Sequence, residues 1–258
     1  MLSYQHAYHA GNAADLHKHA ALAALLARLT AKPRGISYLE SHAGRGLYDL
    51  AAPEALRTGE AARGIARARP GGAYARALAA VRAEHGQTAY PGSPLIARSL
   101  LRAHDRLVLF EMHPTEHAAL REALAGPGVA IHRRDGHEGL PALCPPTPRR
   151  GLALIDPSYE VKDEYARAAA TALAVLRRWP EGVVMVWYPI LPAGRHRDLL
   201  DALAPARGAG LLVREARFRE APGRGMTGSG VALLNPPHGT AAALAEALRP
   251  LAEILGTG

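Results

Sequence analysis

The sequence predicts a doubly wound α/β fold: one mainly parallel sheet of seven strands, covered by helices on both faces. Three observations predict it. Short apolar runs alternate with segments of helical period along most of the chain. The first apolar run passes directly into a glycine-containing turn, as the first unit of a doubly wound sheet does. Four successive apolar runs end in an acidic residue, at positions 40, 111, 135 and 156. A length of 258 residues with 48% hydrophobic content suits a single domain spanning 1–258.

Taken in order, Asn12 to Leu29 reads as a helix, with Leu16, Leu22, Leu25 and Leu29 at helical spacing and Pro33-Arg34-Gly35 to end it. Ile36-Ser37-Tyr38-Leu39 reads as a short buried strand running into His42-Ala43-Gly44-Arg45-Gly46. Residues 53–92 break the rhythm. They are rich in Ala and Arg and helical in pattern, with breaks at Pro70-Gly71-Gly72 and Pro91-Gly92, which predicts a small helical insertion. The alternation then resumes. Strands are expected at 106–111, 129–133, 151–155, 182–188, 211–217 and 230–234, and helices at 94–103, 115–124, 162–178, 193–204 and 240–255. No internal repeat or low-complexity linker interrupts them.

The net charge of +8 suits a polyanionic partner, because each phosphate neutralised releases counterions. Basic pairs recur at Arg133-Arg134, Arg149-Arg150 and Arg177-Arg178, and Arg214, Arg217, Arg219 and Arg224 follow near the C-terminal end. Aromatic residues are only 5%, which argues against a wide base-stacking sheet. The single cysteine, Cys144, excludes an internal disulfide framework. The first residues carry no basic start followed by an apolar run, and the longest apolar stretch, Ala20 to Leu26, is too short to span a bilayer. The expectation is a cytoplasmic protein with no membrane partner.

The chemistry centres on Asp156-Pro157-Ser158-Tyr159, which follows the apolar run Leu152 to Ile155. Ligands of open α/β sheets bind at the carboxyl ends of strands. An adenine amino nitrogen is a poor nucleophile, because its lone pair is delocalised into the ring. A carboxylate and a backbone carbonyl that accept its two N–H bonds localise that lone pair and aim it at an electrophilic methyl. Asp156 and the carbonyl of Pro157 supply these acceptors, and Tyr159 offers a face for an extruded base. The plain alternative is an ordinary strand-end turn. Asn235-Pro236-Pro237-His238 also follows an apolar run. Only about twenty residues follow it, room for a final helix but not for further strands, so it reads as the end of the last strand.

The glycines of Glu40-Ser41-His42-Ala43-Gly44-Arg45-Gly46, Gly44 among them, allow close backbone approach to a cofactor, but the third glycine of a dinucleotide fingerprint is missing. The acidic residues favour S-adenosylmethionine instead: Glu40 beside a cationic cofactor, Glu111 for ribose hydroxyls, Asp135-Gly136 for the adenine end. Tyr4, His6, His9, His17, Lys18 and His19 crowd the N-terminus. No thiolates accompany these histidines, and no HExxH motif is present, so no metal is expected. The segment reads better as a cap on the cofactor pocket, with Lys18 and the imidazoles meeting phosphate or a cofactor carboxylate. For His9 and His17, a polar helix face is the plain alternative.

Taken together, Tyr4-x-His6, His9-Ala10-Gly11-Asn12, Lys18-His19, His42-Ala43-Gly44, Tyr90-Pro91-Gly92-Ser93-Pro94, Glu111-x-His113-Pro114, Asp135-Gly136, Asp156-Pro157-x-Tyr159, Trp187-Tyr188-Pro189 and Gly225-Met226-Thr227-x-Ser229-Gly230 resemble the bacterial 23S ribosomal RNA adenine-N6 methyltransferase J family. The resemblance implies a class I S-adenosylmethionine-dependent methyltransferase fold, Rossmann-like, with a small helical insertion. It implies methylation of one adenine of 23S rRNA at N6, with S-adenosylmethionine as cofactor and S-adenosylhomocysteine as product. Carried over by position, His19, His42, Ser93, Glu111, Asp135, Gly136 and Asp156 contact the cofactor. Asp156 also holds the target amine, and Tyr4, His6 and Lys18 match the segment that reaches the active site. The chain departs from the family at Ser158, where a second proline is usual, and at Glu40, where Asp is usual. The expected partner is 23S rRNA free of ribosomal proteins, with no obligate protein partner. Two other readings stay open: a DNA adenine-N6 methyltransferase, and a non-catalytic RNA-binding protein on a methyltransferase fold.

Overall fold

A computed structural model describes residues 5–220 and 225–257. Tyr4 and Arg224 lie outside the described residues. After a single 3-10 turn (His6–Tyr8), the elements are α1 (Ala13–Thr30), β1 (Ser37–Glu40), β2 (Leu47–Asp49), α2 (Pro53–Thr58), α3 (Glu60–Arg63), α4 (Gly72–His85), β3 (Ala89–Pro91), α5 (Ser93–Leu100), β4 (Arg106–Phe110), α6 (Pro114–Leu124), β5 (Val129–His132), α7 (Gly136–Ala142) and β6 (Gly151–Ile155). Then come α8 (Glu164–Arg178), β7 (Val183–Ile190), α9 (His196–Ala202), β8 (Leu211–Phe218), β9 (Gly228–Leu234), α10 (Thr240–Leu248) and β10 (Leu255–Thr257).

Eight strands form one sheet in the order β10-β8-β9-β7-β6-β1-β4-β5. The five from β7 to β5 are parallel, while β9, β8 and β10 extend the sheet antiparallel beyond β7. Every residue of β1, β6 and β7 is buried, as central strands covered on both faces require. From β1 the chain steps outward to β4 and β5, and from β6 it steps the other way to β7. Right-handed crossovers therefore place the two sets of helices on opposite faces. On one side α1 packs against α4, α5 and α10; on the other α8 packs against α7 and α9. The reversal of direction at β1 leaves a crevice over the carboxyl ends of β1, β4 and β6, the place where such sheets bind ligands.

All seven expected strands are present. The structure corrects the reading of the C-terminus: α10 stops at Leu248, and a three-residue strand, β10, pairs with β8. The residues after Asn235 thus hold a strand as well as a helix. A short helix, α7, that was not among the expected helices also begins at Gly136, with Asp135 as its cap. Residues 53–92 hold α2, α3 and α4, and they end in β3, which pairs with β2 in a small antiparallel ribbon. Among the described residues, no helix is long and apolar enough to cross a membrane.

Candidate active site

The ends of β5, β4, β1 and β6 are neighbours, so Asp135, Glu111, Glu40 and Asp156 follow one another along the sheet edge. A cavity of about 320 Å³ opens there, at the lower end of the range for small-molecule pockets. Its walls bring together eleven of the residues singled out from sequence. His6, Lys18 and His19 come from the N-terminal segment and α1; His42, Gly44 and Ser93 from the turns after β1 and β3. Glu111, Asp135, Gly136, Asp156 and Pro157 come from the strand ends.

Each is held by local structure. Glu111 accepts the Gly44 N–H at 2.8 Å and the His113 N–H at 2.7 Å, and burial raises its pKa above the usual carboxylate value. Asp135 caps α7 by accepting the His137 N–H at 2.8 Å and pairs with Arg167 at 2.9 Å. Although burial opposes it, the Arg167 and backbone bonds hold this carboxyl below its usual value. Gly136 has no room for a side chain, since a Cβ there would stand 1.8 Å from the Ser41 carbonyl oxygen. His42 bonds Ser41 Oγ at 2.8 Å and meets the His137 ring edge-on at 4.8 Å; burial, with His137 adding to it, pushes His42 down to about 3.

On the opposite wall, Asn12 caps α1 by accepting the Asp15 N–H at 2.9 Å. This fixes a fully buried carboxylate that sequence reasoning missed. Asp15 bonds His6 Nε2 at 2.9 Å and lies 3.3 Å from Lys18 Nζ, which in turn reaches Asp156 Oδ2 at 2.7 Å. Lys18 Nζ also stands 5.4 Å from the ring centroid of Trp187, a further cavity residue not singled out for the site. The only hint in sequence was the spacing Asp15-x-x-Lys18-His19, which puts the three side chains on one helical face.

Several expectations need correction. Tyr159 does not line the cavity. Its backbone adopts φ 58°, and its hydroxyl donates to the Trp187 carbonyl at 2.6 Å, so its ring is packed into the wall against Tyr165 and Trp187. Glu40 is also behind the wall: fully buried, it accepts from the Tyr38 hydroxyl at 2.9 Å and from the Ser93 hydroxyl. His19 offers no charge to a ligand carboxylate, because burial pushes it down to about 3. Its Nδ1 bonds the Tyr90 hydroxyl at 3.0 Å. His17 is not on a polar surface; it is buried and bonds Ser229 Oγ at 3.0 Å. His9 pairs with Glu60 of α3 at 2.9 Å. Ser158 approaches Glu164 at 3.4 Å, a weak contact. The rival Asn235 lies at the far end of the sheet, because β9 runs antiparallel to β7 and its last residue pairs with Val184. There its amide donates to the carbonyls of Pro180 and Gly182. Among the described residues, no three His, Cys, Asp or Glu side chains form a metal-binding group.

The model of one protein family, Ribosomal RNA large subunit methyltransferase D, RlmJ, matches residues 33–258. The chain belongs to this family. A relative from Escherichia coli K12, named Ribosomal RNA large subunit methyltransferase J, is 37% identical, over 92% of this chain and 88% of its own length. One of the same name from Haemophilus influenzae is 35% identical, over 100% of this chain and 96% of its own. A crystal structure of a Legionella pneumophila protein superposes with a TM-score of 0.85 at 32% identity, covering 97% of this chain and 95% of that one. The fold is accordingly that of a Rossmann-like, S-adenosylmethionine-dependent methyltransferase of the RlmJ family, and the cavity at the switch point is its candidate active site.

Proposed function

We propose that the chain methylates the exocyclic N6 amine of one adenine in 23S rRNA, using S-adenosylmethionine. Membership of a family of ribosomal RNA large subunit methyltransferases supports the class of reaction. The single observation that carries the target atom is Asp156-Pro157 at the mouth of a parallel strand, facing the cavity. Asp156 and the Pro157 carbonyl accept the two N–H bonds of the amine and leave its lone pair directed for in-line attack.

The residues present fit the cofactor. Gly44 and Gly136 keep side chains out of the cradle, Glu111 faces the cavity as an acceptor for ribose hydroxyls, and Asp135 with Gly136 forms the adenine end. When bound, the cofactor supplies an electrophilic sulfonium methyl. Ser93, tied to Glu40 beneath it, fixes the turn that floors the cavity. Trp187 supplies the aromatic wall beside Lys18. The adenine has to leave its stack to reach so recessed a site, which favours rRNA free of ribosomal proteins as substrate. Such a substrate also places the working enzyme in the cytoplasm.

Incubation with isotope-labelled cofactor and either naked 23S rRNA or duplex DNA tests the reading. Label on a single N6-methyladenine of the RNA, absent with Asp156→Ala, is the expected result. Preferential labelling of DNA would overturn it in favour of a DNA adenine methyltransferase, and absence of turnover on either would leave a binding protein.

A further inference from the structure

We infer that Asp15 is a positioning residue of this reaction: it holds the Lys18 ammonium against Asp156, and it takes that ammonium over when the target amine engages Asp156. The inference rests on the methyltransferase reading above.

The geometry makes the ammonium a bridge. Lys18 Nζ lies 2.7 Å from Asp156 Oδ2 and 3.3 Å from Asp15 Oδ1. Asp156 must offer lone pairs to the incoming amine, and one of its oxygens is already engaged by Lys18. When the ammonium yields that oxygen, an anion beside it lowers the cost of moving a buried charge away from its partner. Asp15 is that anion. It is 1% exposed, and it cannot move to follow another partner. Its own N–H is capped by Asn12 at 2.9 Å, and its Oδ2 is fixed by the Gly11 N–H and by His6 Nε2, each at 2.9 Å. Its other oxygen faces Lys18, with His19 Nε2 at 3.7 Å. Burial alone would raise the Asp15 pKa, yet the contacts with His6 and with the Lys18 ammonium hold it well below the usual carboxylate range. A carboxylate needed only to start α1 has no use for that arrangement, because Asn12 already supplies the cap.

The test compares the wild-type chain with Asp15→Asn, Asp15→Glu, Lys18→Met and the double variant Asp15→Asn/Lys18→Met. Single-turnover rates on naked 23S rRNA, affinity for S-adenosylhomocysteine and melting temperature are read for each. Asp15→Asn should slow methyl transfer by at least about tenfold, while product-cofactor affinity changes less than about twofold. Asp15→Glu, which keeps the charge, should recover most of the rate at a similar melting temperature. In the Lys18→Met background, Asp15→Asn should cost less than about twofold, because Asp15 acts through Lys18. If Asp15→Asn does not fold, Asp15→Ser serves as the uncharged variant. Equal losses in both backgrounds, or equal losses for Asn and Glu, would mean a structural role and would overturn the inference. A wild type that labels no RNA overturns the functional reading and this inference with it. An active wild type beside a fully active Asp15→Asn overturns this inference alone.

Discussion

Gly136 offers a sharp test of how tightly the cofactor end is built. A Cβ at this position would stand 1.8 Å from the Ser41 carbonyl oxygen and 2.6 Å from Ser41 Cα, against a floor of 3.0 Å for real contacts. Both sides of the clash are backbone: the turn after β1 and the first residue of α7. No rotamer change relieves it. Gly136→Ala must therefore push the two strand ends apart by about 1 Å, a displacement that can cost on the order of a hundredfold where positioning matters. Overpacking of this kind costs about 1–3 kcal/mol, which for a chain of this size lowers the melting temperature by about 2–12 °C. Calorimetric titration with S-adenosylhomocysteine and thermal melting of the same samples measure both effects. The expected outcome is a loss of affinity well beyond the loss of stability, because Ser41, His42, Asp135 and Gly136 all line the same end of the cavity. An alanine variant that melts with wild type and binds with unchanged affinity would refute the close approach and the placement of the cofactor there.

Three further outcomes follow from buried groups. Burial pushes His17 down to about 4 and His19 to about 3 from 6.5, so the unfolded chain takes up protons that the folded one refuses. Stability is then fully present above about pH 6.5 and falls as pH drops towards 4; His17→Asn should flatten that slope in melting curves, and an unchanged slope counts against it. Burial pushes Glu40 the other way, up from 4.5 to about 8, so its stabilisation is lost as pH rises between those values, and the melting temperature of Glu40→Gln relative to wild type should climb over that range, whereas a constant difference would show Glu40 ionised. Tyr159→Phe removes the donor to the buried Trp187 carbonyl and should cost about 1–3 kcal/mol in urea unfolding with product-cofactor affinity kept.

The parts of the fold visible in sequence were those set by local pattern. Each parallel strand is a short apolar run, and Asp135, Glu111, Glu40 and Asp156 close four of them, so the row could be seen before any pairing was known. What escaped depends on direction and packing. Nothing in Val231-Ala232-Leu233-Leu234 says that β9 runs antiparallel, yet that direction alone sends Asn235 to the wrong end of the sheet. Tyr159 has the residue type of a stacking platform, but a positive φ swings its ring into the wall, and only tertiary contacts with Tyr165 and Trp187 sustain that conformation. Asp15 resembled an ordinary first-turn carboxylate of α1. Its importance lies in Asp156, 141 positions away, held to it through a single ammonium.

The row of four carboxylates does not act as four equal charges. Glu40, pushed up to about 8 by burial, keeps its proton at neutral pH and serves as a scaffold for Ser93. Asp135 is matched by Arg167 at 2.9 Å. Glu111 is oriented by two backbone N–H groups, while burial raises its pKa. At the β6 end two carboxylates, Asp156 and Asp15, share the Lys18 ammonium, and Asp15 is also bonded by His6 Nε2 at 2.9 Å. The row is therefore uneven: Asp135 and Asp156 stand against cations, Glu111 against backbone N–H groups, and Glu40 against hydroxyls behind the wall. In the proposed reaction the methyl donor meets an Asp156 whose ammonium partner is shared with Asp15, so Asp15 leaves more of the Asp156 charge to the cationic donor.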